Sequence, residues 1–276
     1  MIRNILLGYN GTRGADVAFS QAADIAHAAK ARIHVARIER MAADSRIQLS
    51  GDTLADSSPS PAFSELSGAS ETVVEPSGVL DQVLDKCRRE QVFCTFREYY
   101  GDPAGRLMEL SRLAELLVVA RRDEPRHSRA HPLGRVARQL AMRTSTPVLF
   151  TGHEHLPVKS AALLYEPRIA GGHALTMAGG LCSTLNITLN VLCVGHGETD
   201  AAQAEAEAKF ALRAWHVEGE FVRSTVPALE AIRNIALTHS DPLIIVPAPP
   251  RRLFPAHSEL VHAAAELPNT NLLLVP

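Results

Sequence analysis

Short apolar runs alternate along the chain with longer stretches in which apolar residues recur every three or four positions. The run at 2–9, IRNILLGY, stops at Asn10-Gly11, a turn signal, and predicts a strand. Residues 12–31 place Val17, Phe19, Ala22, Ala23, Ile25 and Ala26 at helical spacing, with Asn10 or Thr12 in position to cap the first turn. The same logic predicts strands at 32–38, 92–100, 116–120 and 147–151. It predicts a helix over 77–91, with Val79, Leu80, Val83, Leu84 and Cys87 on one stripe. Two further helices are expected, at 102–113, with Asp102 as cap and Pro103 in its first turn, and at 133–143. Residues 40–76, rich in Ser, Pro, Ala and Gly, break the alternation and read as a long insertion.

The second half repeats the plan. Strands are expected around 160–167, 187–194, 219–225, 242–247 and 270–276, with helices between them. At an offset of 156, Ala18-Phe19 falls on Ala174-Leu175 and Asn10 on Glu166; near the ends the offset is 124, and Val148-Leu149 falls on Leu272-Leu273. The shorter offset is what a second copy without the insertion would give. Strand–helix alternation implies parallel sheets covered on both faces. The expectation is therefore an α/β protein of two tandem five-stranded parallel-sheet sandwich domains, 1–152 and 157–276.

Composition narrows the function classes. The 276 residues are 46% apolar and carry a net charge of −2, split as +1 over 1–155 and −3 over 156–276, so neither half has the bulk positive field of a nucleic-acid surface and none is expected. Aromatics are only 5%, too few for base-stacking platforms. No apolar stretch approaches the length of about 18 residues that spans a bilayer, and the first residues do not read as a secretion signal. Four cysteines, Cys87, Cys94, Cys182 and Cys193, lack CxxC spacing and read as reduced, mostly buried thiols of a cytoplasmic protein.

One stretch departs from the bland background. Between Arg121 and Arg143, seven arginines face one Asp and one Glu, directly after the apolar run LLVVA. Together with ILLGYNGTRGADVAFSQAADIA near the start, LLVVARRD and PLGRVARQLAMRTSTPVLF resemble the closing and opening segments of universal stress protein domains. The resemblance covers the first half apart from 40–76, and the second half by topology. It implies Rossmann-like domains of the adenine nucleotide alpha hydrolase type that pair through their last strands, here 147–151 and 271–275, and often bind ATP. Such pairing would make the chain an intramolecular pseudo-dimer and leaves a homodimer open.

ATP-binding members carry Gly-x2-Gly-x9-Gly-Ser/Thr after the fourth strand, where glycines let main-chain amides reach the phosphates at a helix N-terminus. Here the first Gly is Ala120, the second is Asp123, ten residues rather than nine precede Gly134, and the Ser/Thr is Arg135; the family's nucleoside-binding Asp is Asn10. A carboxylate about 4 Å from a phosphate charge costs about 1 kcal/mol in water and about 4 kcal/mol at an effective dielectric of 20. Arginine forks can hold phosphate without a glycine cradle. The candidate ligand site is therefore Asn10, Ala120, Arg121, Arg122, Gly134 and Arg135, with the three arginines on the phosphates of ATP or AMP.

The first reading is a stress-response protein acting by regulation and an unidentified protein partner, without the standard ATP site. A second keeps ATP or AMP on the Arg-rich loop of domain 1, with weak ATP hydrolysis. A third is an interaction module with 40–76 as its arm. In the second half, Glu166 replaces Asn10, and Pro247, Pro249, Pro250 and Pro255 remove main-chain donors, so no ATP seat is expected there. Arg251-Arg252 reads as a solvated pair. His127 and His131 lie four apart among arginines that oppose a cation, and His153-Glu154-His155 reads as linker, so no metal site is expected. No catalytic Ser/His/Asp set or G-x-S-x-G elbow occurs, so no catalytic residue is assigned.

Overall fold

The computed structural model describes residues 2–40, 78–122, 132–155, 157–167, 171–238, 242–248, 254–267 and 270–276. The insertion expected at 40–76 lies, beyond Arg40, outside the described residues. The first half runs β1 (Asn4–Gly8), α1 (Arg13–Ala29), β2 (Arg32–Glu39), α2 (Gly78–Arg89), β3 (Phe93–Tyr100), α3 (Pro103–Ser111), β4 (Leu116–Ala120), α4 (Arg135–Arg143) and β5 (Val148–Thr151). The second runs β6 (Ser160–Tyr165), α5 (Gly171–Leu185), β7 (Thr188–Val194), α6 (Glu198–Leu212), β8 (Phe221–Ser224), α7 (Ala228–Thr238), β9 (Pro242–Pro247), α8 (Phe254–Glu266) and β10 (Asn271–Val275).

All ten strands form one sheet in the order β3-β2-β1-β4-β5-β10-β9-β6-β7-β8. Read outward from the middle, each half gives the same order. Every pairing is parallel except the central one, where β5 and β10 run antiparallel. The register there sets Leu149 opposite Leu273, Phe150 opposite Leu272 and Val148 opposite Leu274. Leu149 and Leu273 are the residues related by the 124 offset, so a local two-fold axis passes through that pair.

Why β5 is apolar from Val148 to Phe150 and β10 from Leu272 to Val275 follows from their place. One buried cluster takes Leu149, Leu273 and Val275, with residues of α1, α2, α5 and α6. The other takes Val148, Phe150, Leu272 and Leu274, with residues of α3, α4, α7 and α8. Each cluster contains residues from both halves, so neither face of the sheet is divided at the seam. Helix α1 shows the local code: Thr12 accepts from the Ala15 amide at the N-cap, and Lys30 closes the helix in the left-handed conformation.

A buried arginine fastens the halves a second time. Arg121 follows β4, is 4% exposed, and sends its guanidinium across the seam. Nη1 donates to the carbonyls of Ala265 (2.8 Å) and Leu267 (3.1 Å), and Nη2 to that of Thr270 (2.6 Å). The first two are acceptors at the C-terminal end of α8, Leu267 also accepting from the Thr270 hydroxyl at 3.1 Å, and the helix dipole there favours a cation. Burial, and Arg122 beside it, draw this guanidinium down to about 10, still protonated at neutral pH.

The cysteine expectation needs correction. Cys87 in the last turn of α2 and Cys94 in β3 form a disulfide, with Cα atoms 6.2 Å apart. The tight return from helix to strand brings the buried edge of α2 against the inner side of β3. That proximity is invisible in a spacing of seven residues. Cys182 and Cys193 are free and buried, and burial pushes both thiols up to about 12.

Two stability outcomes follow. Leu149→Ala should cost about 3 kcal/mol, and because the core crosses the seam it should shift urea unfolding monitored at Trp215, in the opposite half, along with the far-UV signal. Separate transitions would show that the halves unfold independently. Arg121→Ala should cost about 3 kcal/mol by stranding buried carbonyls, whereas Arg135→Ala, at an exposed position, should stay within about 0.5 kcal/mol in the same titration.

Candidate functional site

A crevice of about 290 Å³ opens at the carboxyl ends of β1 and β4, the edge at which open α/β sheets hold ligands. Gly8, Tyr9 and Asn10 come from the exit of β1, Ala15 from α1, Leu107 from α3, Val119 to Arg122 from β4 and beyond, and Gly134 and Val136 from α4. Five of the six residues expected at the site, Asn10, Ala120, Arg121, Arg122 and Gly134, therefore line one crevice. Arg135 is not in its wall; it is exposed at the first position of α4.

Their chemistry differs from the expectation residue by residue. Arg121 contributes backbone to the crevice while its guanidinium is held by the other half, so the phosphate role expected of it is not available in this arrangement. The Gly134 amide, the surviving glycine of the family motif, donates to the Arg121 carbonyl at 2.8 Å. Arg122 Nε donates to the Pro132 carbonyl at 3.0 Å and so closes the base of the loop between them. Asn10 Oδ1 accepts from the Thr12 amide (3.2 Å) and hydroxyl (2.8 Å), an Asx turn that sets up the cap of α1. Gly11 makes the turn with φ +76°, where a side chain would be strained. Asp123, His127 and His131 lie outside the described residues.

Sequence reasoning missed three residues that organise the wall. Tyr9 is 2% exposed, and its hydroxyl donates to Asp16 Oδ1 at 2.6 Å. Lys86 of α2 pairs with the same carboxylate and lies 5.9 Å from the Tyr9 ring centre. Burial, then the hydrogen bond to Asp16, raises the Tyr9 phenol, so it remains a donor at any physiological pH. A signal existed: Tyr165 stands 156 residues on, and its hydroxyl donates to Glu207 Oε2 at 3.0 Å. Gly14 was also missed. A Cβ there would sit 2.5 Å from the Arg122 carbonyl oxygen, so α1 can cross the exit of β4 only as glycine.

The second half carries a hollow of about 210 Å³ at the matching place, lined by Glu166, Gly195, His196 and Asp200 among others. Glu166 Oε1 lies 4.0 Å from His196 Nε2. Two carboxylates make this hollow unsuited to an anion. Pro249, Pro250, Arg251 and Arg252 lie outside the described residues. Among the described residues no three metal-binding side chains cluster, and His155 is instead 2.7 Å from Asp24.

The close crossing at Gly14 gives a clear outcome. Gly14→Ala should lower stability by about 1–2 kcal/mol, against the roughly 1 kcal/mol gain that Ala normally brings to a helix. A raised melting temperature for this variant would show that the Arg122 carbonyl can yield.

Comparison with known proteins places this geometry. The family model for the universal stress protein family matches residues 1–151. A universal stress protein from Archaeoglobus fulgidus DSM 4304 is similar in structure over 99% of this chain and 95% of that one, with TM-score 0.69 and 13% identity. A protein of unknown function from Pseudomonas aeruginosa PAO1 superimposes over 99% of this chain and 92% of its own, with TM-score 0.61 and 14% identity. The cytoplasmic domain of a prokaryotic cation chloride cotransporter covers 99% and 95%, with TM-score 0.53 and 14% identity. At these identities the likeness is one of fold. No curated protein matches by sequence. With the family match covering more than half of its residues, and its strand order and crevice now described, this chain belongs to the universal stress protein family.

Proposed function

We propose that the protein is a non-enzymatic tandem universal stress protein that works in stress responses as a regulator through a protein partner, without the family's main-chain triphosphate seat. The carrying observation is the fate of two groups at the phosphate position: the Arg121 guanidinium is bound to carbonyls of the other half, and the Gly134 amide to the Arg121 carbonyl. A triphosphate on main-chain amides would have to take the Gly134 amide from the Arg121 carbonyl, and one held by the Arg121 guanidinium would have to draw it off the other half. Taking that donor from buried carbonyls costs about 1–3 kcal/mol each, a large share of the roughly 8 kcal/mol of a micromolar complex. Among the described residues no general base or carboxylate cluster for metal-assisted hydrolysis lines the crevice, whose titratable walls are Tyr9, Arg40, Arg121 and Arg122. The β5–β10 seam occupies the strands through which family domains pair, which supports reading the chain as its own pseudo-dimer.

A second reading is supported by the size of the crevice. At about 290 Å³ it sits at the lower edge of small-molecule sites, which run from about 300 to 1,000 Å³. It favours a nucleoside with one phosphate over three, as in AMP, with the phosphate at the start of α4 beside Arg135.

Calorimetric titration separates the readings. The first expects no heat from ATP or AMP up to about 1 mM ligand and no thermal shift. AMP binding that is lost in high salt and in Arg135→Ala would replace it with the second. Micromolar ATP binding with turnover to ADP would overturn both.

A further inference from the structure

At the opposite end of the sheet from the crevice, a second and larger groove of about 660 Å³ runs beside the first residues of β2 and β3. Its wall contains Cys94, one half of the disulfide. The two sulfurs are not equally placed: Cys87 is 8% exposed and packs in the core, whereas Cys94 is only partly covered. His27 and Lys30 from the end of α1 and Arg32 from the start of β2, all exposed, share the groove's lining with Cys94, and among the described residues no carboxylate lines it. Phe93, the neighbour of Cys94, is 81% exposed and gives the groove an apolar side. The chain as a whole has a net charge of −2, so this is a local positive field set over a disulfide.

We propose that this groove is a thiol–disulfide exchange site for an anionic low-molecular-weight thiol, a small peptide-like molecule carrying carboxylates. Two physical effects act together. Cations within the groove concentrate an anionic ligand at the sulfur and stabilise its thiolate, the attacking form. They also stabilise the thiolate that leaves. The carboxylates find Lys30 and Arg32, and the aliphatic part of the thiol lies against Phe93.

The exchange balances as follows. The incoming thiolate attacks Sγ of Cys94, the cysteine that belongs to the groove's lining, and forms a mixed disulfide. The Sγ–Sγ bond breaks, and its electron pair leaves on Cys87 as a thiolate, which takes a proton from solvent. A second thiolate attacking the sulfur of the bound thiol expels the Cys94 thiolate. The net change is two-electron reduction of the Cys87–Cys94 disulfide and oxidation of two small thiols to their symmetric disulfide. In the reverse direction, the Cys87 thiolate attacks Cys94 Sγ of the mixed disulfide and restores the bond. The groove and the nucleotide crevice share no lining residue, so this inference stands apart from the function proposed above.

The test uses the oxidised full-length protein, with reduced glutathione as the anionic thiol and 2-mercaptoethanol as the neutral one. Thiols are trapped by alkylation, and peptides are mapped by mass spectrometry. Opening of the disulfide by glutathione should fall about tenfold in Lys30→Gln/Arg32→Gln, and similarly on raising the salt for the unaltered protein, as expected of electrostatically steered association. The rate with 2-mercaptoethanol should change less than about twofold under both conditions. In Cys87→Ser, treated with oxidised glutathione so that Cys94 displaces one glutathione thiolate, the adduct should be found on Cys94. Equal sensitivity of both thiols to charge and salt, or faster capture of oxidised glutathione by Cys87 in Cys94→Ser than by Cys94 in Cys87→Ser, would overturn the proposal. So would finding both cysteines as free thiols in the oxidised protein. The salt series on the unaltered chain keeps the test decisive if a variant folds poorly.

Discussion

Everything in this molecule hangs on the antiparallel pairing of β5 with β10. A strand that ended a five-stranded parallel sheet would present unpaired amides and carbonyls along an apolar edge, a liability that proteins normally blunt or cover. Here each closing strand is the other's cover. The pairing places both strands at the centre of the sheet, with helices on both faces, and this explains why 148–150 and 272–275 are apolar without alternation. Because the strands meet at Leu149 and Leu273, packing on each face runs across the seam. Burial that would stabilise either half alone is shared.

Arg121 shows what happens to a ligand loop once such a seam exists. The position after β4 is where family members that bind ATP approach the phosphates. In this chain the same backbone still borders the crevice, but the side chain is fixed to the C-terminal carbonyls of α8 and to Thr270. A buried guanidinium is stable only with acceptors arrayed around it, and the end of a helix supplies them. The residue at the matching place in the second half is Ala248, whose amide donates to Val275 as the Arg121 amide donates to Thr151. The backbone is repeated and the staple is not, so the two halves have diverged at the side chain that reaches across.

Periodicity made most of the fold legible. Runs such as LLVVA and LLLV can only be buried strands once helical stretches separate them, and the 124 offset named the two leucines that meet on the axis. The boundaries moved inward by a few residues, as at 2–9, where β1 is Asn4–Gly8, because the sheet ladder rather than hydrophobicity ends a strand. The candidate site was legible as a place and not as chemistry. The resemblance to universal stress protein domains pointed to Asn10, Ala120 and Gly134, which line one crevice, but nothing in RRDEPRHSR distinguishes an arginine that faces a ligand from one that crosses to α8. That choice depends on where a helix 140 residues later happens to end. The disulfide was hidden for the same reason: seven residues between cysteines say nothing until a helix reverses directly into a strand.

Helix α2 joins the two ends of the first half into one physical unit. Lys86 reaches upward to Asp16, which holds the Tyr9 hydroxyl in the wall of the crevice. The next residue, Cys87, is bonded to Cys94 beside the lower groove. Neighbouring positions on a helix cannot shift independently, since the backbone between them is rigid over a turn. The covalent tie that fixes the last turn of α2 to β3 thus also fixes the ammonium group that orders the Asp16 carboxylate. A shift of that turn moves the cation away from the Asp16 carboxylate that holds the buried Tyr9 hydroxyl in the wall of the crevice.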